Sequence, residues 1–301
     1  MPEPFGRNLS LSLPRRFVCD LMHLARQVPT VPVQRRMNLA ALVEARQLMA
    51  PKPSWCAIFT KAYGFIAGAR PQFRRAYIPF PRPHLYEHPN NIASIAIERQ
   101  LGDEEAVFFA HLRSPEKQSL LQIDSFLQYC KHEPLSSIGL FRWTLQISRL
   151  PQPLRRLAWW YANSTSGHRR AKWMGTFGVS VYSALGAESL HPLSPLTTAL
   201  NYGIIGPDGE VDVRIIYDHR VVDGATVARA LLDLEKCLNQ EILPELRQPR
   251  TANHRPLRDV TRREDSLAEA EEKANGVPLA SITNGLTEIA ECRRGGGEAK
   301  A

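Results

Sequence analysis

The chain has 301 residues, 44% hydrophobic and 23% charged, an ordinary globular composition with length for one large domain or two small ones. No stretch approaches about 18 uncharged apolar residues, and MPEPFGRNLSLSLPRRF lacks the apolar core of a signal peptide, so a membrane span and secretion are disfavoured. Five scattered cysteines without a Cys-x-x-Cys pair argue against a disulfide framework or zinc site and for reduced thiols, so a cytoplasmic setting is expected. The formal net charge of +8 favours an anionic partner: nucleic acid, an anionic membrane surface or a phosphorylated cofactor.

In chain order, LPRRFVCDLMHLARQV places Phe17, Leu21, Leu24 and Val28 at helical spacing and stops before Pro29. VPVQRRM reads as a strand and NLAALVEARQLM as a helix capped by Asn38. WCAIFTKAYGFIAGA is apolar nearly all round, which predicts a helix sandwiched inside the fold. FPRPHLYEHPN reads as a proline-rich connection. NIASIAIER and EAVFFAHLR read as strands, and SPEKQSLLQIDSFLQYC as a helix with Ser114 as cap and Pro115 in its first turn. WMGTFGVSVYSALG predicts a buried strand running into a loop. TALNYGII and VDVRIIYDH flank GPDGE, where Asp-Gly supplies the geometry of a hairpin turn. A last helix is expected from about Gly224 to about Leu238, with Asp223 as its N-cap. Its apolar face comprises Val227 or Ala228, Leu231, Leu232 and Leu238. Beyond about Pro249 the apolar period is lost, and 247–301 is expected to be a mostly disordered polar tail holding one short helix at most. Residues 1–10 are expected to be flexible and 11–246 to form the folded domain. No internal repeat is present.

The chemistry gathers in YDHRVVDGATVARALLDLE, where a strand hands over to that last helix. His219, Asp223 and Gly224 form His-x-x-x-Asp-Gly at a strand end, where folds place reactive groups. The plain alternative is a surface histidine, a capping aspartate and a turn glycine. The wider run DHRVVDGA resembles the signature of the catalytic domain of the dihydrolipoamide acyltransferases of 2-oxo acid dehydrogenase complexes. GTFGVSVYSALG is similar to that family's Gly-Thr-Phe-x-x-Ser strand, and VPTVPVQRRMNLAALVEAR and the Trp55–Ala69 helix also fit. The match spans about Leu11 to Leu246, strongest near His219 and Thr176.

The resemblance implies an α/β, chloramphenicol acetyltransferase-like sandwich with a mixed sheet and packed helices. It also implies acyl transfer between a thioester and an acceptor, with coenzyme A or an acyl-CoA as substrate. His219 is then the general base. Ser180 is the oxyanion donor, with Ser183 its rival because the spacing to Gly186 is unusual. Asp223 holds the active-site loop, with Arg220 or Arg214 as its partner. The family's site lies between subunits of a trimer, so a homotrimer is expected, acting on a small-molecule or carrier-bound acceptor. No lipoyl domain, subunit-binding domain or Ala/Pro-rich linker is seen, so no lipoyl group is expected on this chain and a stand-alone enzyme is.

The segment 135–172 departs from the family and is rich in Arg, Trp and Leu. It reads as ordinary helices with solvent-facing arginines, as a peripheral membrane contact, or as the lining of an acceptor pocket. His84, Glu87 and His88 lie in a proline-rich stretch without a ligand cluster, so no metal is expected. No nucleic-acid module accompanies the charge, so no nucleic-acid partner is expected. Two readings compete with the enzyme: a catalytically silent relative acting in interactions, and a peripheral membrane-binding protein.

Overall fold

A computed structural model describes residues 6–247. The expected tail past Arg247 lies outside the described residues. Leu13–Ala25 forms α1, started by Ser12, whose hydroxyl accepts the Arg15 N–H (3.2 Å). Thr30–Asn38 is β1 and Ala40–Gln47 is α2. Asn38, expected as the cap of α2, closes β1 instead. Its Oδ1 accepts the Ala40 N–H (3.0 Å), and Leu39 takes the cap position without a side-chain bond. Trp55–Ala69 is α3, every residue from Ala57 to Gly64 being buried, as its uniform hydrophobicity predicts. Lys61 within that run is answered by Glu245, whose other oxygen accepts the Leu120 N–H (2.9 Å).

Arg75–Ile78 (β2) and His84–Glu87 (β3) form a separate two-stranded ribbon. The proline-rich stretch read as a mere connection therefore contains a strand. Its prolines flank the ladder and do not occupy it, so they remove none of its hydrogen bonds. Ile92–Leu101 (β4) and Glu104–Arg113 (β5) pair antiparallel over ten residues. Leu120–His132 is α4. Ser114 does not cap it: Ser114 has φ 46° and begins a short 3-10 turn over Pro115–Lys117. Ser119 and Gln122 form a reciprocal capping box at the true start, so the Ser-x-x-Gln pattern wins over the Ser-Pro one.

Gly139–Ser148 (α5), Gln152–Ser164 (α6) and Gly167–Met174 (α7) account for most of 135–172. Phe177–Val179 is β6, Thr198–Tyr202 is β7 and Glu210–Asp218 is β8. Gly224–Cys237 is α8, followed by a π-helical turn over Leu238–Ile242 and by α9, Leu243–Arg247. In α8 the buried face is Val227, Ala230, Leu231 and Leu234, while Leu232 is partly exposed.

Six strands make one mixed sheet in the order β1-β8-β7-β6-β4-β5. β6 runs parallel to both neighbours, and the other pairs, including the expected β7–β8 hairpin, are antiparallel. One face carries the main core, where α2, α3, α4 and α8 pack on Ile95, Phe108, Phe177, Leu200 and Ile215. The opposite face is covered at its β4–β5 end by α1, α5, α6 and α7, with Phe17, Leu21, Ile147, Trp159 and Met174 as a second core. This is the expected mixed sheet with packed helices.

The arginines of 135–172 do not all face solvent. Arg155 on α6 is buried against Asp20 on α1, with side-chain exposures of 6% and 3%. The guanidinium also donates to the Leu150 carbonyl (3.1 Å). This pair fastens the helical layer to itself, and removing one partner strands the other charge in an apolar site. Arg155→Met is expected to cost about 3–5 kcal/mol, a fall in Tm of about 10 °C for a domain of this size. The double variant Asp20→Leu/Arg155→Met recovers most of it. Thermal melts of the three proteins decide this, and an unaltered single variant would refute a buried pair.

Candidate functional site

β8 is buried from Val213 to Asp218, and the chain then turns sharply into α8. The turn is held by its own first residue. The Asp218 carbonyl accepts the N–H groups of Val221 (3.0 Å) and Val222 (3.1 Å). Its carboxylate, wholly buried, accepts the Arg220 N–H (3.0 Å), Nε (2.9 Å) and Nη2 (2.8 Å). The Arg220 guanidinium lies over the Tyr77 ring at 4.3 Å, an arrangement the planar cation favours. Arg170 completes the surroundings, bonding the Pro195 and Tyr77 carbonyls. Burial pushes its pKa down to about 10, with Asp218 opposing that fall and Arg220 adding to it.

His219 sits between these anchors. Its N–H donates to the Pro29 carbonyl (3.2 Å), so its backbone is tied to the chain just before β1. The imidazole is half-exposed, 5.4 Å from the Tyr217 ring. Gly224 brings the helix start close to that tyrosine, since a Cβ there would stand 3.0 Å from its hydroxyl. The motif thus delivers a fixed main chain and an accessible ring.

Asp223 occupies the N-cap position, and its carbonyl accepts from Thr226 (3.0 Å) and Val227 (3.2 Å). Its side chain makes no cap bond, is 86% exposed, and lies 3.9 Å from His219 Nδ1, beyond hydrogen-bonding distance. Neither expected arginine reaches it. Arg220 serves Asp218, and Arg214 binds Gln34 (2.6 Å) and Glu188 (2.9 Å). Within one chain, Asp218 is therefore the aspartate that holds the loop, a role the sequence reading assigned to Asp223. The signal was present: a carboxylate closing a strand of otherwise buried residues needs a partner, and the nearest cation is two residues on.

Ser180 is positioned by the Gly-Thr-Phe run before it. Gly175 has φ 84°, and a Cβ there would stand 2.9 Å from the Ile92 carbonyl, so glycine is required. The Thr176 hydroxyl accepts the Ile92 N–H (2.9 Å) and donates to the Ile92 carbonyl (3.2 Å). Phe177 is fully buried edge-on to Tyr63, centroids 4.9 Å apart. The Ser180 N–H then donates to the Leu200 carbonyl (3.1 Å), and its own carbonyl accepts the Asn201 amide (2.6 Å). Ser183, three residues further on, opens a short 3-10 turn over Ser183–Leu185.

The structure does not bring His219 and Ser180 together within one chain. Ser180 is level with Asn201 and hence with Arg214 on β8, five residues before His219. At ~3.3 Å per residue that is about 16 Å along the strands, plus two strand spacings of ~4.8 Å sideways.

Beside Ser180 the sheet opens. β6 ends at Val179, while β4 continues to Leu101 and β7 to Tyr202. A cleft of about 740 Å³ occupies this gap, bounded by Ser180, Ser183, Ile97, Tyr202, Trp143 and Trp159 among others. His111 also lines it, and burial pushes that imidazole's pKa down to about 4, so it is neutral at physiological pH. Among the described residues no group of three His, Cys, Asp or Glu side chains could hold a metal ion. No helix of the described residues is long and apolar enough to cross a membrane.

No protein-family model and no curated protein sequence matches the chain. Solved structures do. A probable dihydrolipoamide acetyltransferase from Listeria monocytogenes superposes with a TM-score of 0.56 at 17% identity, covering 83% of this chain and 99% of that one. The cubic core of a pyruvate dehydrogenase multienzyme complex gives 0.56 at 18%, covering 80% and 95%. Azotobacter vinelandii dihydrolipoamide acetyltransferase gives 0.57 at 17%, covering 81% and 95%; in that enzyme a serine, a histidine and an asparagine were investigated for their catalytic roles. The chain therefore has the fold of the dihydrolipoamide acyltransferase catalytic cores.

Proposed function

We propose that the protein is an acyltransferase that moves an acyl group from a thioester, coenzyme A in the first instance, to an acceptor thiol, hydroxyl or amine. The observation that carries this is the His219 turn: a rigid backbone, built from a buried carboxylate and two arginines, presents one accessible imidazole. In the mechanism, the neutral His219 ring takes the proton from the acceptor as it attacks the thioester carbon. The tetrahedral oxyanion is met by the Ser180 hydroxyl. Collapse breaks the carbon–sulfur bond, and the imidazolium returns its proton to the departing thiolate. The Azotobacter enzyme supports the assignment by analogy, since a serine and a histidine are also the residues of interest there.

The separation of His219 from Ser180 supports a site completed by a second copy. The loop after Ser180 offers a surface for it, with Tyr182, Leu185, Leu190 and Leu193 exposed, as is Ile204 nearby. Cyclic symmetry repeats one such contact around a ring, and a homotrimer is the assembly proposed. Asp223, unpartnered by arginine within its own chain, lies beside His219, where a neighbouring copy would supply its counter-charge.

His219→Ala is expected to lower acyl transfer about a hundredfold or more, and Ser180→Ala about a hundredfold with little change in substrate affinity. Coexpressed, the two inactive chains should regain part of the wild-type rate, because some interfaces then pair an intact histidine with an intact serine. Light scattering should give three times the 33.9 kDa chain mass. No recovery on mixing, or a fully active monomer, would overturn the shared site.

The loop can be tested separately. Asp218→Ala strips the Arg220 guanidinium of the carboxylate that holds it and should destabilise the fold by about 3–5 kcal/mol. Asp223→Asn, so exposed in the single chain, should shift a monomer's Tm by little. Equal melting temperatures for the Asp218→Ala variant and the wild type would show that Asp218 does not anchor the turn.

A further inference from the structure

We infer that the cleft beside Ser180 receives a fatty acyl chain, so that the donor is a medium- or long-chain acyl thioester; this rests on the acyl-transfer reading above and names its substrate class. Three observations carry it. The cleft is lined by Ser180, the proposed oxyanion donor beside which the carbonyl of a bound acyl group would sit, so the cleft adjoins whatever follows that carbonyl. Its size is wrong for a small acyl group. An apolar cavity of about 150 Å³ holds one benzene, and a space of about 740 Å³ would be left mostly empty by an acetyl. Its walls are mostly apolar, with Phe17, Leu21 and Met22 from α1, Phe109 from β5, and Trp143 and Trp159 from α5 and α6.

Charge agrees with this. Glu98 and Lys131, charged residues of the lining, are exposed, and His111 is neutral at physiological pH. A desolvated carboxylate or phosphate would find no buried counter-charge among these groups. The aromatic walls favour an aliphatic chain over a ring. Trp143 is stacked on Trp173 at 4.0 Å and meets Trp159 edge-on at 5.3 Å, so these rings already occupy one another's faces and leave no slot between parallel planes. Met22 and Met174, both on the lining, have adaptable side chains that follow the shape of a flexible chain. The segment 135–172 thus acquires a role beyond packing: α5, α6 and α7 roof the cleft.

The experiment is calorimetric binding of acetyl-, octanoyl-, lauroyl-, palmitoyl- and benzoyl-coenzyme A to the full chain, using the His219→Ala variant so that no turnover intervenes. Kd should fall from acetyl to octanoyl by about a hundredfold or more, with full burial contributing about fourfold per methylene. Leu140→Trp, which fills the cleft from a half-buried position on α5, should reduce the palmitoyl-to-acetyl affinity ratio at least tenfold. Affinity independent of chain length, benzoyl binding tighter than octanoyl, or an unchanged ratio in Leu140→Trp would overturn the inference. Flat affinities combined with wild-type transfer from acetyl-coenzyme A would sink this proposal and leave the acyltransferase standing. Chain-length-dependent binding without transfer from any thioester would do the reverse.

Discussion

The brevity of β6 is the constraint on which the rest depends. Three residues of parallel pairing, Phe177 to Val179, are all that join β4 to β7. That short strand would be a weak link without its clamp. Gly175 lets the chain approach β4 closely, Thr176 closes two hydrogen bonds on Ile92, and Phe177 is driven into the core beside Tyr63. The clamp takes hold before the strand begins, so the strand can end early. Because it ends early the sheet parts, and Ser180 stands at the edge of the opening with its backbone held on both sides. Structure and site are here one feature, since a longer β6 would close the cleft and bury the serine.

At the other end of the site, rigidity comes from buried charge. Asp218 carries no solvent exposure, and three donors from Arg220 converge on its carboxylate. An isolated ion there would be costly; a chelated one is tolerable and directional. The fork closes a loop of only two residues, which leaves the intervening His219 almost no main-chain freedom while its ring remains in solvent. Asp223 has the opposite character, an exposed charge at the mouth of the same turn, 3.9 Å from the His219 imidazole.

Much of this was legible in the sequence. Uniform hydrophobicity placed α3 in the interior, Asp-Gly placed the β7–β8 hairpin, and DHRVVDGA together with GTFGVSVYSALG pointed to the fold that the chain has. The failures share a physical origin: each depended on a competition between neighbours that a pattern does not weigh. Ser114 and Ser119 are both plausible caps, and only the reciprocal bond with Gln122 decides for the second. Prolines at positions 81, 83 and 89 mark a connection by composition, yet they leave His84–Glu87 free to pair with β2. Asp223 stands at the helix start and so looked like the loop's anchor, whereas the apolar strand that Asp218 closes, with Arg220 two residues on, pointed to Asp218. The cleft was least legible of all, because it is made by where strands stop.

The segment 135–172 follows the same logic. A sheet face left bare beyond β4 and β5 needs cover, and α5, α6 and α7 provide it with Trp159, Ile147 and Met174 against α1. Basic residues in such a layer would ordinarily be a liability, but Arg155 is neutralised by Asp20, and Arg170 is held by bonds to backbone carbonyls. The remaining arginines of α5 and α6, at 142, 149 and 156, point to solvent. The segment's high charge is therefore divided: Arg155 and Arg170 fix the layer to its surroundings, Arg169 ties α7 to Tyr161 and Thr165 of the segment itself, and the exposed arginines keep the outer surface hydrated. Of its aromatics, Trp143 and Trp159 line the cleft, Phe141 packs on Phe108 in the main core, and Trp160 lies exposed against Phe80. The packing that joins the layer to α1 also shapes the cleft, since Phe17, Leu21 and Trp159 of the second core belong to its wall.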